Sequence, residues 1–262
     1  MKNFIKKHGV SIGLSLLSIA FMLVCWIITS ASVKNEVLVP SLSAVFAEMK
    51  SLLVLPSFYG ALLQTFLRTV YSVLIAYLVA GLLVILTIAY KPLRSFFAPI
   101  ISALRVVPTM AVLLMILIFT MNNPNLAPII VSLLVLVPLV YHQFLTSFNE
   151  IDDGVISTAK VFGIKKRDRI FKIYLPLVLP SNLASVGTNL SFSIKLIISA
   201  EILAYTYNGL GGFMRDASNY FQVSRLAGLT LFAIIIGILV EVLFSVLSKV
   251  CFRWNTVGVK YD

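Results

Sequence analysis

Arg68, Arg105, Lys195, Glu201 and Glu241 are charged residues set inside otherwise apolar runs. A charge at the centre of a bilayer costs about 2.5–3.5 kcal/mol on insertion scales, so each needs a partner, water or a route to the interface. Buried in this way, a cation attracts an anion, and an opposite pair locks two helices together. Arg68 and Glu201 lie near the same end of two runs of opposite direction, so depth alone allows them to pair. That pair reads either as a helix–helix lock or as part of a gate. Lys195 sits too deep to reach an interface with its own stem. Contact with an anionic ligand and a carboxylate or carbonyl partner within the protein both stay open for it. Arg105 is read the same way, with snorkelling favoured, and Glu241 has no evident partner. Asn189, Ser191, Ser193 and Ser199 share the run of Lys195 and Glu201, where small polar residues serve helix contacts as well as paths.

Other chemistry is poorly served. His8 and His142 are isolated, and no His/Cys/carboxylate cluster suggests a metal. No Ser–His–Asp arrangement can be built, so the chain is not read as an enzyme and no cofactor is implied. A phosphate-binding Gly-x-x-x-x-Gly-Lys-Ser/Thr loop is absent. The nearest approach, "GVISTAK" at Gly154–Lys160, has Ala159 in place of the second glycine. Cys25 in an apolar run and Cys251 beside basic residues form no disulfide framework and are expected to be buried hydrophobes.

The elements that position these residues follow from composition. Of 262 residues, 60% are hydrophobic and 12% charged, against about 25% charged in a soluble domain. Six stretches reach the roughly 20 residues that cross a bilayer: Val10–Ala31, Leu63–Ala89, Phe97–Phe119, Ala127–Phe148, Asn182–Tyr205 and Leu226–Val250. The first is too long for a secretory signal, despite "TSA" at Thr29–Ala31. "YKPLR" at Tyr90–Arg94, "NNPN" at Asn122–Asn125 and "NGLGG" at Asn208–Gly212 punctuate the runs. The last is expected to give backbone freedom at the outer mouth, and Pro108 and Pro138 are expected to kink the third and fourth spans.

Orientation follows from the Lys and Arg of the short loops. With both termini cytosolic, the inner side collects Lys2, Lys6, Lys7, Lys91, Arg94, Lys160, Lys165, Lys166, Arg167, Arg169, Lys172, Lys249, Arg253 and Lys260. The outer side receives only Lys34, Lys50, Arg215 and Arg225. The net charge of +11 is thereby absorbed by topology, and nucleic acid is not a partner. The expected organisation is an N-terminal helix with an external amphipathic segment over 1–61, a core over 62–250 and a cytosolic tail over 251–262. Within Lys34–Tyr59, Ser41 or Ser43 caps a short helix.

An inner loop over 149–180 carries "AKVFGIKKRDRIFKIYLPLVLP" from Ala159 to Pro180. Asp152 and Asp153 suit a helix start, and Gly163 suits a left-handed helix end. A second short helix over "KKRDRIFKIY" sets Ile170, Ile173 and Tyr174 on one face, with Lys165, Lys166, Arg169 and Lys172 on the rest. Pro176 and Pro180 are expected to stop it and start the next span. The product is a compact knob, cationic on one side and apolar on the other. A pure topology signal needs neither the glycine nor the apolar stripe.

The loop resembles that of ABC importer permeases, whose motif is E-A-A, three residues, G, nine residues, I-x-L-P. Gly163, Ile173, Leu175 and Pro176 match it, while Ser157-Thr158-Ala159 keeps only the last alanine of the first half. The resemblance extends over most of Leu62–Trp254. It is best to the branch for nitrate, sulfonate, taurine and thiamine-precursor uptake, through Arg68 in "TFLRTVYS", Arg105 and Pro108 in "ISALRVVPT", and Ala200-Glu201 followed by Gly209-Leu210-Gly211. It implies an all-α integral protein of the cell membrane with six spanning helices, of the type I importer kind. It implies as partners a cytosolic ATPase dimer, a second permease subunit (a homodimer favoured), an extracytoplasmic substrate-binding protein and membrane lipid. The coupling loop then comprises Ser157, Thr158, Ala159, Gly163, Lys165, Lys166, Arg167, Ile173, Leu175 and Pro176. Arg68, Arg105, Lys195, Ser199 and Glu201 are candidates for the path or gate. The solute is expected to be a small anion or a thiamine-precursor-like molecule. An ion-coupled secondary transporter and the membrane scaffold of a vitamin energy-coupling complex are the alternatives.

Overall fold

The computed structural model describes residues 2–120, 123 and 125–251. The tail over 252–262, with Arg253 and Lys260, lies outside the described residues, as do part of the Asn122–Asn125 turn and the side chains of Lys2, Lys6, Lys7, Lys91 and Lys249. Every regular element among the described residues is helical. In chain order they are α1 (Lys2–Val33), α2 (Leu42–Val54), α3 (Pro56–Ala89), α4 (Lys91–Val106), α5 (Thr109–Phe119), α6 (Ala127–Asn149), α7 (Asp153–Val161), α8 (Lys166–Asp168), a π-helix over Arg169–Tyr174, α9 (Leu175–Ala184), α10 (Val186–Leu203), α11 (Leu210–Asn219) and α12 (Val223–Cys251).

Five of these, α1, α3, α6, α10 and α12, are long and apolar enough to cross a bilayer among the described residues. The expected third span is different. It is two helices, α4 and α5, bent by 102°. Pro108 is the cause: it lacks the N–H that would continue α4 and pushes Val107 into an extended conformation at ψ 129°. At 16 and 11 residues, neither half covers about 30 Å of hydrocarbon alone. The expected kink at Pro108 is thus a corner. Pro138, by contrast, sits buried inside an unbroken α6.

The chain divides into two compact units, one of Met1–Phe58 with Met214–Phe232, the other of Tyr59–Phe213 with Ala233–Asp262. In the first, the Trp26 indole donates to the Pro40 carbonyl at 2.9 Å. Ser41, rather than Ser43, caps α2 by accepting from the Ala44 N–H. Val45 and Leu52 of α2 are fully buried, and Phe58 meets Phe232 with ring centroids 5.1 Å apart. Cys25 is exposed, as is Cys251, so the expected burial of both is overturned. On a membrane helix an apolar side chain is solvated by lipid and need not enter a protein core.

In the second unit α6 is the hub, touching α4, α5, α9 and α10. Ala80, Val84, Ile101, Val140, Tyr141, Phe144 and Val178 form one core where α3, α4, α6 and α9 meet. A polar layer crosses the same helices. The Asn189 side-chain amide donates to the Tyr77 hydroxyl at 2.8 Å and to Gln143 Oε1 at 2.9 Å. Tyr77 in turn donates to the Asn182 carbonyl at 3.1 Å. This carbonyl lies beside Ser185, where α9 ends and α10 begins, so the layer pins that joint to α3 and α6. Asn189→Leu removes the hydrogen bonds to two half-buried polar partners, Tyr77 and Gln143, and should cost about 1–3 kcal/mol, read as a shift in the detergent unfolding midpoint followed by circular dichroism.

Candidate functional site

The first candidate region is the segment from Asp152 to Pro176. Asp152 caps α7, accepting from the Gly154 N–H at 2.5 Å. Gly163 has φ +66°. The Ile164 N–H reaches back to the Ala159 carbonyl at 3.1 Å, the long bond of a helix end closed by a left-handed glycine. Ala159 is buried, whereas Ser157, Thr158, Gly163, Lys165, Lys166, Arg167 and Pro176 are exposed, and Ile173 and Leu175 are half-buried. Val161 and Phe162 project as apolar side chains, 85% and 77% exposed. Val155, Thr158, Ala159, Phe162, Ile164 and Ile173 line a groove of about 480 Å³ between α7 and the π-helix.

The expected second helix of this segment is not a separate element. From Lys166 the backbone stays helical through α8, the π-helix and α9 to Ala184. Pro176 stands in the first turn of α9 and Pro180 within it, so neither proline stops the chain. For Pro176 the π-helix explains why: its wider turn ends immediately before the proline and lessens the clash of the ring with the preceding turn, and such turns often sit at functional sites. Ile170 and Tyr174 are its buried face, with the Tyr174 ring 5.3 Å from that of Phe148. The Lys166 ammonium donates to the Ala89 carbonyl at the end of α3 and stands 5.4 Å over the Tyr90 ring. Lys166 is therefore an anchor to α3, while Lys165 and Arg167 remain outward charges.

The second region is centred on Glu201, which is fully buried. Arg68 Nη1 donates to its carboxylate at 2.5 Å. Thr65 donates at 2.9 Å and the Gly211 N–H at 2.9 Å. The guanidinium also donates to the Asn208 carbonyl at 2.8 Å and to Asn125 Oδ1 at 2.9 Å. The pairing of Arg68 with Glu201 that depth allows is present, and Arg68 lies twelve residues into α3, which starts at Pro56. Thr65, Asn125 and Asn208 were missed. Thr65 was legible: Thr65, Arg68, Thr69 and Ser72 repeat at helical spacing, and all four are buried.

The glycines after α10 have a different role from the one expected. None has a left-handed φ. A Cβ on Gly209 would stand 2.5 Å from the Glu201 carboxylate, and one on Gly211 would stand 2.7 Å from the Ile198 carbonyl. They permit close approach rather than motion. Tyr205, at φ 52°, supplies the turn that ends α10.

Arg105 is exposed in the last turn of α4, at the corner before Pro108, so it does not sit in a continuous span. Lys195 and Ser199 are exposed on α10, with Lys195 Nζ 5.2 Å over the Phe192 ring. Thr188 donates to Glu241 at 3.1 Å, a partner that sequence spacing could not reveal.

A helical core of this kind, with a glycine-hinged loop between α6 and α10, has known counterparts. The family model described as "Binding-protein-dependent transport system inner membrane component" matches residues 73–254. The chain belongs to that family. Its match spans both the Gly163 loop and Glu201, and it makes the chain an ABC importer permease, a multi-pass protein of the cell membrane. Among its relatives is the putative aliphatic sulfonates transport permease protein SsuC of Bacillus subtilis (strain 168). That protein is 22% identical over 251 residues, 95% of this chain and 90% of SsuC. The glycine betaine/proline betaine transport system permease protein ProW of Escherichia coli (strain K12) is 24% identical over 55% of this chain and 40% of ProW. Inward-facing conformations of the MetNI methionine ABC transporter share the fold, with TM-score 0.65 at 16% identity over 73% of this chain and 94% of that one. An amino acid ABC transporter crystallised with histidines gives TM-score 0.61 at 18% identity, covering 76% and 94%. Membership of the family implies an ATPase and a substrate-binding protein as partners.

Proposed function

We propose that this permease forms the path for a small organic anion of the sulfonate class and draws its energy from a separate ATPase through the Ser157–Pro176 loop. Two copies pair, both termini face the cytosol, and an extracytoplasmic binding protein delivers the solute. The carrying observation is mechanical. The knob presents Lys165, Arg167, Val161 and Phe162 outward, while its inner side is joined to α3 by Lys166 and runs through α9 into α10. A force applied to the knob therefore reaches both helices that hold the Arg68–Glu201 pair. The likeness to SsuC over nearly its whole length supports the solute class.

The test is uptake of labelled ethanesulfonate into proteoliposomes holding this chain with a companion ABC ATPase and binding protein from the same genome. Uptake should require internal ATP and all three components. Uptake driven by a proton or sodium gradient with the ATPase left out would sink the proposal and favour a secondary transporter.

A further inference from the structure

Helix α10 is the most enclosed of the membrane-crossing helices, with half of its apolar window buried, against 17% for α12. If its remaining face met lipid it should be apolar. Instead three of the four exposed residues of α10 are polar, Thr188, Lys195 and Ser199, with Leu203 at its end the fourth. Their spacing of seven and four residues keeps them on one stripe of the helix. Lys195 is nine residues from Val186 and eight from Leu203, about 12–14 Å from either end at the α-helical rise. The ammonium stem, about 6 Å long, cannot carry its charge to an interface from there.

Among the described residues Lys195 forms no ion pair or hydrogen bond, and its charge stands over the Phe192 ring. The Arg68 charge is answered by Glu201. The remaining carboxylate of these helices, Glu241, is held by Thr188, two helical turns or about 10 Å along the axis from Lys195. A cation left at mid-depth persists only where water or an anion reaches it.

We infer that Lys195 is the anion-attracting point of a water-filled path along α10, with the Ser199 hydroxyl one turn away donating to the same oxyanion. This rests on the permease reading above and adds a residue and a charge requirement to it. The field of one ammonium in a narrow aqueous passage concentrates anions at its level and excludes cations.

The test measures local potential without transport. In the C25A/C251A background, Ser199→Cys in membranes with the companion subunits is reacted with two probes, the anionic methanethiosulfonate ethylsulfonate and the cationic methanethiosulfonate ethyltrimethylammonium. Ile235→Cys on the exposed apolar face of α12 is the lipid-facing control. The expected result is reaction at Ser199→Cys and none at Ile235→Cys, with the anionic-to-cationic rate ratio falling about tenfold on adding Lys195→Gln. No reaction at Ser199→Cys, or a ratio indifferent to Lys195→Gln, overturns the inference. So does full recovery of the ratio and of uptake by the exchange Lys195→Glu with Glu241→Lys, which marks the two as a structural pair. A ratio that behaves as expected in a protein whose ethanesulfonate uptake ignores ATP overturns the permease reading alone.

Discussion

Glu201→Ala should lower stability by about 3–5 kcal/mol, because it leaves a buried guanidinium without its counter-charge. Arg68 is 6% exposed, so water cannot replace the lost carboxylate. The Thr65 hydroxyl and the Gly211 N–H also lose their acceptor. Glu201→Gln keeps an acceptor oxygen and the shape but not the charge, and should cost less, about 1–3 kcal/mol. Removing both charges together, Arg68→Met with Glu201→Leu, should recover much of the loss. The midpoint of SDS-titrated unfolding in detergent checks the series. A Glu201→Ala protein as stable as the parent would mean that the pair contributes nothing to holding α3, α10 and the Asn208–Gly211 segment together. If the pair also gates the path, the double apolar variant will be stable yet transport slowly, since an apolar contact has no ionic partner to exchange between states.

Much of this arrangement was legible in the residues, and what was not has a physical cause in each case. Apolar runs long enough to cross a bilayer can be counted directly, since lipid forces the backbone to satisfy itself within one helix. Gly163 was legible because a left-handed helix end favours that residue type. Arg68 and Glu201 were legible because charge in a span is too costly to leave alone. The corner at Pro108 was underestimated, because hydropathy sums over α4 and α5 regardless of the angle between them. The Asn208–Gly212 segment was misread for another reason. Glycine in a sequence signals freedom and close approach alike, and only the position of the Glu201 side chain decides between them. The continuity of α8, the π-helix and α9 was hidden because proline reads as a break, whereas a wide helical turn accommodates it. Lys166 and Lys165 are adjacent and alike in type; that one is an anchor and the other a free charge depends on where α3 ends.

That distinction between neighbouring lysines gives the loop its sharpest test. Lys165→Glu with Arg167→Glu reverses two outward charges and touches no contact within the fold, so the protein should insert and unfold normally. Its ATP-dependent uptake should fall at least about tenfold, the size of effect produced when a charged docking surface is made to repel its partner. The ATPase should also wash off during co-purification. Lys166→Ala should behave differently. It spares the outward charges but frees the knob from the Ala89 carbonyl, so the ATPase should stay bound and hydrolyse ATP while uptake falls. Gly163→Pro combines the two failures. Proline cannot adopt φ +66°, and the turn that sets α7 against the π-helix would be lost. The contrast between lost capture at Lys165 and Arg167 and lost transmission at Lys166 follows from which groups face outward and which hold α3. Unaltered uptake in both variants would mean that the knob neither grips an ATPase nor pulls on α3, and the Ser157–Pro176 segment would then be a topology signal alone.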